Sequence, residues 1–432
     1  MRLRRIGAGS LAAAVVATAA LAAAARDGGA APDARAGGST TIDFLSVQQP
    51  TEGWPLVLGT LTRTYARTHR GVTFKPTNVP QAALNQRIAL LSSQNALPTM
   101  YNVPPADTLE QMRRKGQVLD LGATMRRLGV ANQLVPAAAA IIRKLYGGRL
   151  VALPLEFNIE GFWYNRKIFR ENGLSVPTTW AQFVQVAAAL QAKNIQPLAA
   201  SGIQGWPITR IVGNYLFSSV GPNALENVKS GSAKMTDARY VAAAQAVAEL
   251  GEKGYFGEGV ASLDYGPAQD LFLQGKAAIF YMGSWALRDM NNAEVNKIGA
   301  ANVGFFPFPR VGSSGAQVIP MNAGLPSAIN PRKFTPEVAQ WFKYFAKNYG
   351  DVAMSRLGMI TGFKVHKQPA RTPALTRSIA QRLANAKTPV LWFEARFNTK
   401  AQTFSERNAA RLATGQISAS EFMSGLQEAL AG

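Results

Sequence analysis

The sequence predicts an α/β protein with room for two domains, and three observations carry that prediction. Strand-like and helix-like segments alternate between residues 42 and 103, the rhythm of a parallel sheet covered by helices. Residues 154–190, PLEFNIEGFWYNRKIFRENGLSVPTTWAQFVQVAAAL, hold an apolar strand, a short helix, a turn and a capped helix in succession. The 432 residues, 47% of them hydrophobic, suffice for two cores at about 100–200 residues per domain.

In chain order, Arg2, Arg4 and Arg5 precede an alanine-rich apolar run, and Ala23 and Ala25 offer a small-x-small cleavage site before Arg26. Residues 1–25 therefore read as a secretory signal peptide. The competing reading, an uncleaved anchor, is disfavoured because alanine is weakly hydrophobic for a membrane span. Residues 26–41, rich in Gly, Ala and Pro, read as a flexible leader. The sequence contains no cysteine, which excludes disulfides, thiolate metal sites, cysteine nucleophiles and a lipid-anchored signal-peptide cysteine. A free periplasmic protein is the expected product.

Charge points to a basic surface. The 46 Lys and Arg outnumber the 25 Asp and Glu, a formal charge of +21, and subtracting Arg2, Arg4 and Arg5 with the signal leaves +18. The cations lie in scattered groups such as Arg113-Arg114-Lys115, Arg126-Arg127 and Arg143-Lys144, with no nucleic-acid-binding motif nearby. They read as a solvated surface, and no nucleic-acid partner is expected.

Residues 42–47 (IDFLSV) form the first predicted strand, followed by a turn-rich loop, QQPTEGWP, in which Glu52 and Trp54 can face a ligand. A helix over 56–69, a strand over 72–76, a helix over 81–93 and a strand over 98–103 follow. Parallel sheets bind ligands at the carboxyl ends of their strands, here the loop after Val47 and the region of Asn102. Asp107 and Glu110 are spaced as a capping box for a helix to Lys115. A helix over 134–145 and a strand over 149–155 lead into the 154–190 stretch. There Glu156, Asn158 and Glu160 alternate with apolar residues and share one face of an extended chain. Gly161 is expected to break the strand, Asn172-Gly173 to end the short helix, and Thr179 with Gln182 to cap the next one. Later helices are predicted over 241–251, 268–274, 336–349 and 420–430, with a strand over 277–282.

The run FWYNRKIFRENGLSVPTTWAQF at 162–183 closely resembles the signature of the extracellular solute-binding proteins of ABC importers, the sugar-binding family that includes the maltose-binding protein. LFLQGKAAIFYMGSW at 271–285, ANVGFFPFPRVG at 301–312 and TGQISASEFMSGLQEAL at 414–430 resemble its later landmarks, in the same order. The resemblance spans about residue 42 to the end. It implies a two-lobed periplasmic-binding-protein fold, with a parallel-rich mixed sheet in each lobe and a hinge between them. The first lobe would comprise 42–157 and 309–363, the second 158–308 and 364–432. The implied role is the carbohydrate-binding component of an importer that delivers its ligand to a membrane permease, monomeric, without cofactor and without enzymatic activity.

Candidate ligand contacts follow from the residues and the resemblance together. Trp206, in a Gly- and Pro-rich loop, and Trp285, after Gly283-Ser284 at the mouth of a strand, carry indole faces suited to the apolar face of a pyranose. Trp163 and Trp180 belong to the core. Glu156, Asn158, Asn102, Glu52 and Asn322 supply hydrogen-bonding side chains and Gly324 exposed backbone, whereas Glu160 is expected to be structural. Phe397, with Trp392 as its rival, covers the ligand late in the chain. His69 and His366 are isolated and make no metal site, and neither HExxH nor GxSxG occurs.

Two alternatives compete with a neutral sugar. An anionic ligand, such as a polyol phosphate or acidic sugar, would use Arg210, Arg288 or Arg396. A secreted glycoside hydrolase would use Glu156 and Glu160 about 5–10 Å apart across a cleft.

Overall fold

A computed structural model describes residues 39–313, 315–385 and 389–431. The predicted signal peptide and most of the leader lie outside them. The first lobe opens with β1 (Thr40–Ser46), α1 (Gly53–Ala66), β2 (Val72–Asn78), α2 (Gln81–Ser93) and β3 (Met100–Asn102), followed by α3 (Ala106–Arg114), α4 (Leu121–Arg127) and α5 (Pro136–Leu145). The second lobe begins with β4 (Asn158–Asn165), α6 (Arg166–Glu171), α7 (Trp180–Gln191), β5 (Gln196–Ala199), α8 (Trp206–Ser219) and α9 (Ala224–Lys229). It continues through α10 (Ala238–Glu252), α11 (Tyr265–Leu273), β6 (Ala277–Gly283), α12 (Leu287–Met290), β7 (Val303–Phe306) and β8 (Ile319–Asn322). The chain then returns for β9 (Ser327–Ile329) and α13 (Pro336–Leu357), and ends with α14 (Ala374–Ala384), β10 (Pro389–Val390), α15 (Thr399–Ala413) and α16 (Ala419–Ala431).

Two mixed sheets organise these elements. The first runs β2-β1-β3-β9, with β1 parallel to β2 and β3, and β9 antiparallel to β3. It is parallel-rich, as expected. The second runs β10-β8-β4-β6-β5, with β7 also on β4. Here β4 is antiparallel to β6, β7 and β8, and only the β5–β6 and β8–β10 pairs are parallel.

Pairing also moves the return crossing. Arg310 bridges to Thr179, Ala316 N donates to Ser218 O at 3.0 Å, and Asn322 sits opposite Asn158. Phe308 and Val318 are buried in the same core as Phe162 and Phe183. Residues 309–322 thus pack with the second sheet, and the chain leaves it between β8 and β9 rather than at the expected residue 309. The expected crossing came from the resemblance, and the pairing of Asn158 with Asn322 carries no local signal.

The first core packs α1 and α13 on the sheet, with Trp341 buried and its indole N–H donating to Thr62 Oγ1 at 3.0 Å. The second joins Phe162, Trp180, Phe183 and Phe308 in an aromatic stack covered by α8, α10, α15 and α16. Trp163 and Trp180 are core residues, as expected.

Local signals held where side chain and backbone were adjacent. Thr179 and Gln182 complete the capping box of α7, and Gly173 takes φ +63° after α6. Others failed. Gly161 does not break β4, because pairing with β6 and β7 carries the strand to Asn165; its missing Cβ instead admits the Phe305 ring, 2.7 Å from where that atom would stand. Asp107 caps no helix: α3 starts at Ala106, and Glu110 binds Arg113 and Arg114. Residues 149–155 form no strand: bends fall at Ala152 and Leu155, and only Leu153 pairs, with Ser327. Helices α4, α8, α9, α12, α14 and α15 went unread.

Candidate ligand-binding cleft

The second lobe contributes an aromatic face. Gly205 holds φ +69° at the start of α8, and a side chain there would overlap the carbonyl of Glu406. This fixes Trp206 as the first helical residue rather than a loop residue. At the end of β6, Trp285 lies in a short 3-10 turn and folds its ring over Gly283, in the space a Cβ would fill. The Trp206 and Trp285 rings meet edge to face, centroids 5.7 Å apart at 62°, and Tyr265 stands 6.4 Å from Trp206. All three rings are half-buried. They present apolar faces with polar edges, and the Trp206 indole N–H donates to Gln204 Oε1 at 2.9 Å.

Beneath the tryptophans lies a charged network. The Arg210 guanidinium stacks 4.3 Å from the Trp206 ring centre and 6.0 Å from that of Trp285. It is gripped by two buried carboxylates, Glu160 at 2.9 Å and Glu394 at 3.2 Å. Asn322 Nδ2 and the Tyr281 hydroxyl also donate to Glu160, at 2.8 and 3.3 Å, and the Thr209 hydroxyl donates to Glu394. Burial works against the Arg210 charge, yet Glu160 and Glu394 more than offset it and raise its pKa. Burial pushes the Glu394 carboxyl up despite Arg210. Arg210 is thereby neutralised from within.

The first lobe and the connection to it contribute polar groups. Glu156, half-buried, accepts from Asn158 Nδ2 at 3.1 Å and lies against Gly324, whose φ of +63° and missing Cβ leave the carboxylate its place. Asn158 Oδ1 accepts from Ser284 Oγ at 3.0 Å, which joins Glu156 to the turn that carries Trp285. Burial raises the Glu156 pKa, and Asn158, Trp54 and Gln48 pull it back down. Burial pushes the Tyr265 phenol up to about 12.

Of the predicted contacts, the structure gathers Trp206, Trp285, Glu156, Asn158 and Gly324, with Asn322 in the network beneath. Two others go elsewhere. Asn102 is fully buried and its amide is spent: it accepts from Val47 N at 3.0 Å and donates to Leu325 O and Ser327 Oγ at 3.2 and 3.1 Å. It ties β1 to the chain before β9. Phe397 is 8% exposed and packs edge to face on Phe393 in the second core, because the turn Phe393–Arg396 directs it inward. Its rival Trp392 is half-buried. Glu52 is exposed at the start of α1 and caps nothing; Asp289, the main partner of Arg288, raises the Arg288 pKa, and the Glu52 charge adds to it. Arg396 binds Glu226 and the Lys144 carbonyl. Sequence reasoning missed Tyr265, which the Asp264-Tyr-Gly-Pro helix start could have flagged. Glu394 had no signal, lying 184 residues from Arg210.

Among the described residues no cluster of His, Cys, Asp or Glu could hold a metal ion, and no helix is long and apolar enough to cross a membrane.

Residues 37–348 match the family described as bacterial extracellular solute-binding protein. The chain is 22% identical over 398 residues to the "Multiple sugar-binding protein" of Streptococcus mutans, covering 87% of this chain and 88% of that one. A solved "Chitin oligosaccharide binding protein" superposes with a TM-score of 0.78 at 26% identity, covering 91% of this chain and all of that one. The raffinose complex of RafE superposes with a TM-score of 0.71 at 18% identity, covering 91% and 99%, and shares the fold.

Proposed function

Because the chain belongs to the bacterial extracellular solute-binding protein family, whose members bind solutes and are not enzymes, we propose that it binds a neutral sugar or oligosaccharide between its two lobes and delivers it to the permease of an ABC importer. The aromatic face of Trp206, Trp285 and Tyr265, joined through Ser284 and Asn158 to the Glu156 carboxylate, carries this reading. Indole faces stack on the CH face of a pyranose while a carboxylate accepts from its hydroxyls. The names of the S. mutans relative and of the chitin-oligosaccharide protein support the ligand class. Tighter binding to the closed state would drive closure of the lobes. The signal-like residues 1–25 and the absence of cysteine support a free periplasmic location, and the monomeric state belongs to the same proposal.

The arginines favour a neutral ligand over an anionic one. Arg210 is held by two carboxylates, Arg288 by Asp289, and Arg396 by Glu226. Glu160, which the hydrolase alternative needed in the cleft, is fully buried and ion-paired.

A thermal-shift screen of the chain from residue 26 tests the proposal. The panel holds chitotriose, raffinose, stachyose, a polyol phosphate and a uronic acid. A rise in Tm with a neutral sugar, unchanged between low and high salt, is expected. A shift with anions alone, fading with salt, would reject it.

A further inference from the structure

Trp206 and Tyr265 open different helices, α8 and α11, and the loops before them are laced together. Gly202 N donates to Val260 O at 3.1 Å and Ile203 N to Leu263 O at 3.2 Å. Ser201, fully buried, donates its hydroxyl to Leu263 O at 3.0 Å and accepts from Gln204 N at 3.3 Å. Gly202 has no room for a side chain, since a Cβ there would stand 2.2 Å from Val260 O. The backbone that carries the two rings is thereby set.

Backbone alone does not set a ring's tilt, because the outer torsion of an aromatic side chain is broad. Tyr265 is held at both ends. Its N–H donates to Asp264 Oδ1 at 2.7 Å and its hydroxyl to Gln269 Oε1 at 3.3 Å, while Gln269 Nε2 donates to Asp289 Oδ2 at 2.9 Å. Trp206 has one polar edge, and Gln204 takes it. The indole N–H donates to Gln204 Oε1 at 2.9 Å, and Gln204 Nε2 donates at 3.2 Å to Asp264 Oδ1, the oxygen that also accepts from Tyr265 N. An indole can only donate and a carboxylate can only accept, so the group between them must accept at one end and donate at the other. A primary amide does both. Gln204 is exposed, so its loss removes these two bonds and no core packing.

Resting on the carbohydrate reading above, we propose that Gln204 is a positioning residue of the ligand site: its amide clamps the Trp206 indole to the start of α11 and so sets the tilt of Trp206 against Tyr265 and Trp285 before the ligand arrives. The Tyr265 and Trp285 rings, centred 6.4 and 5.7 Å from Trp206, then form one surface with it. A surface fixed in advance binds more tightly, because less freedom is lost when the ligand lands. Without the clamp the rings keep their area and Arg210 keeps its place 4.3 Å from the Trp206 ring centre, but the indole plane is free to turn.

The test compares wild type, Q204M, Q204E, D264N and Q204E/D264N. Three quantities are measured: Kd by calorimetry for chitotriose, raffinose and stachyose in turn, the unliganded Tm, and the Trp206 indole proton resonance, assigned by its disappearance in W206F. Q204M keeps the length of the side chain and loses both hydrogen bonds. Its indole proton should move upfield and exchange faster with solvent, its Tm should hardly change, and its Kd should rise about three- to tenfold. Q204E sets a carboxylate against Asp264 and should weaken binding as well. Adding D264N to it should restore affinity, because the new amide donates to that carboxylate while its oxygen still accepts from Tyr265 N; on the wild-type background D264N should bring no such gain. If a sugar binds wild type and Q204M matches it in Kd, or if the double variant binds no better than Q204E, the positioning role is overturned while carbohydrate binding stands. An indole resonance that does not move in Q204M overturns the clamp whichever sugar binds. If none of the three sugars binds wild type, the carbohydrate reading fails, and the role proposed here fails with it.

Discussion

The Arg210 guanidinium lies 4.3 Å from the centre of the Trp206 ring while Glu160 and Glu394 hold its nitrogens from behind. The tryptophan is thus supported from inside the lobe, and the charge that supports it is cancelled before it reaches the cleft. Packing and electrostatics meet at Arg210, and its removal separates them.

Replacing Arg210 with Met should destabilise the protein by about 3–5 kcal/mol, since two buried carboxylates would lose their cation. Urea unfolding at pH 7 measures it. An unchanged unfolding midpoint would show that the two carboxylates do not depend on this cation.

Trp285→Ala should weaken sugar binding by about 2 kcal/mol, roughly thirtyfold in Kd, with a smaller effect on unliganded stability because the ring is half-buried. Calorimetry with the sugar found in the screen, beside the Tm of both unliganded proteins, checks the two parts together.

Glu156→Gln should make the unliganded protein more stable at pH 7. Burial raises the Glu156 pKa in the fold above its ordinary 4.5, so the folded state binds the proton more tightly than the unfolded chain. The stability tied to that proton is complete below about pH 4 and is lost as pH rises through the folded pKa. A Tm advantage for the variant at pH 7 that closes on acidification to pH 4 is the expected pattern, and an advantage that grows on acidification contradicts it.

Gly205→Ala should cost more than 2 kcal/mol. Its φ of +69° strains an L side chain, and the new methyl would overlap the Glu406 carbonyl. Because Gly205 sets the start of α8, Trp206 should move with it, and a change in tryptophan fluorescence should accompany the loss of stability.

Much of the fold was legible because its signals are local. The strand and helix alternation from β1 to β3 follows hydrophobic patterning, and the ends of α6 and α7 follow from Gly173 and from Thr179 with Gln182, groups within a few residues of the backbone they satisfy. The helices α8, α9, α14 and α15 escaped because local cues pointed elsewhere: Gly205 and Pro207 looked like a loop, yet they are the entry to a helix whose buried face includes Ile208, Ile211, Val212 and Leu216. The site was legible in part. Trp206 and Trp285 stood out as aromatics next to turn glycines, whereas Asn102 and Phe397 had the right chemistry and their surroundings consumed it.

The sequence by itself determined the α/β class and the family, because patterning, caps and contiguous motifs are written in neighbouring residues. Only the tertiary structure decided which polar groups remain free. Glu160 is spent on Arg210 and Asn322, and Asn102 on Val47, Leu325 and Ser327, while Glu156 stays half-open beside Gly324. A side chain's hydrogen-bonding capacity is fixed by its chemistry. Whether it is left over for a ligand depends on partners brought from more than a hundred residues away.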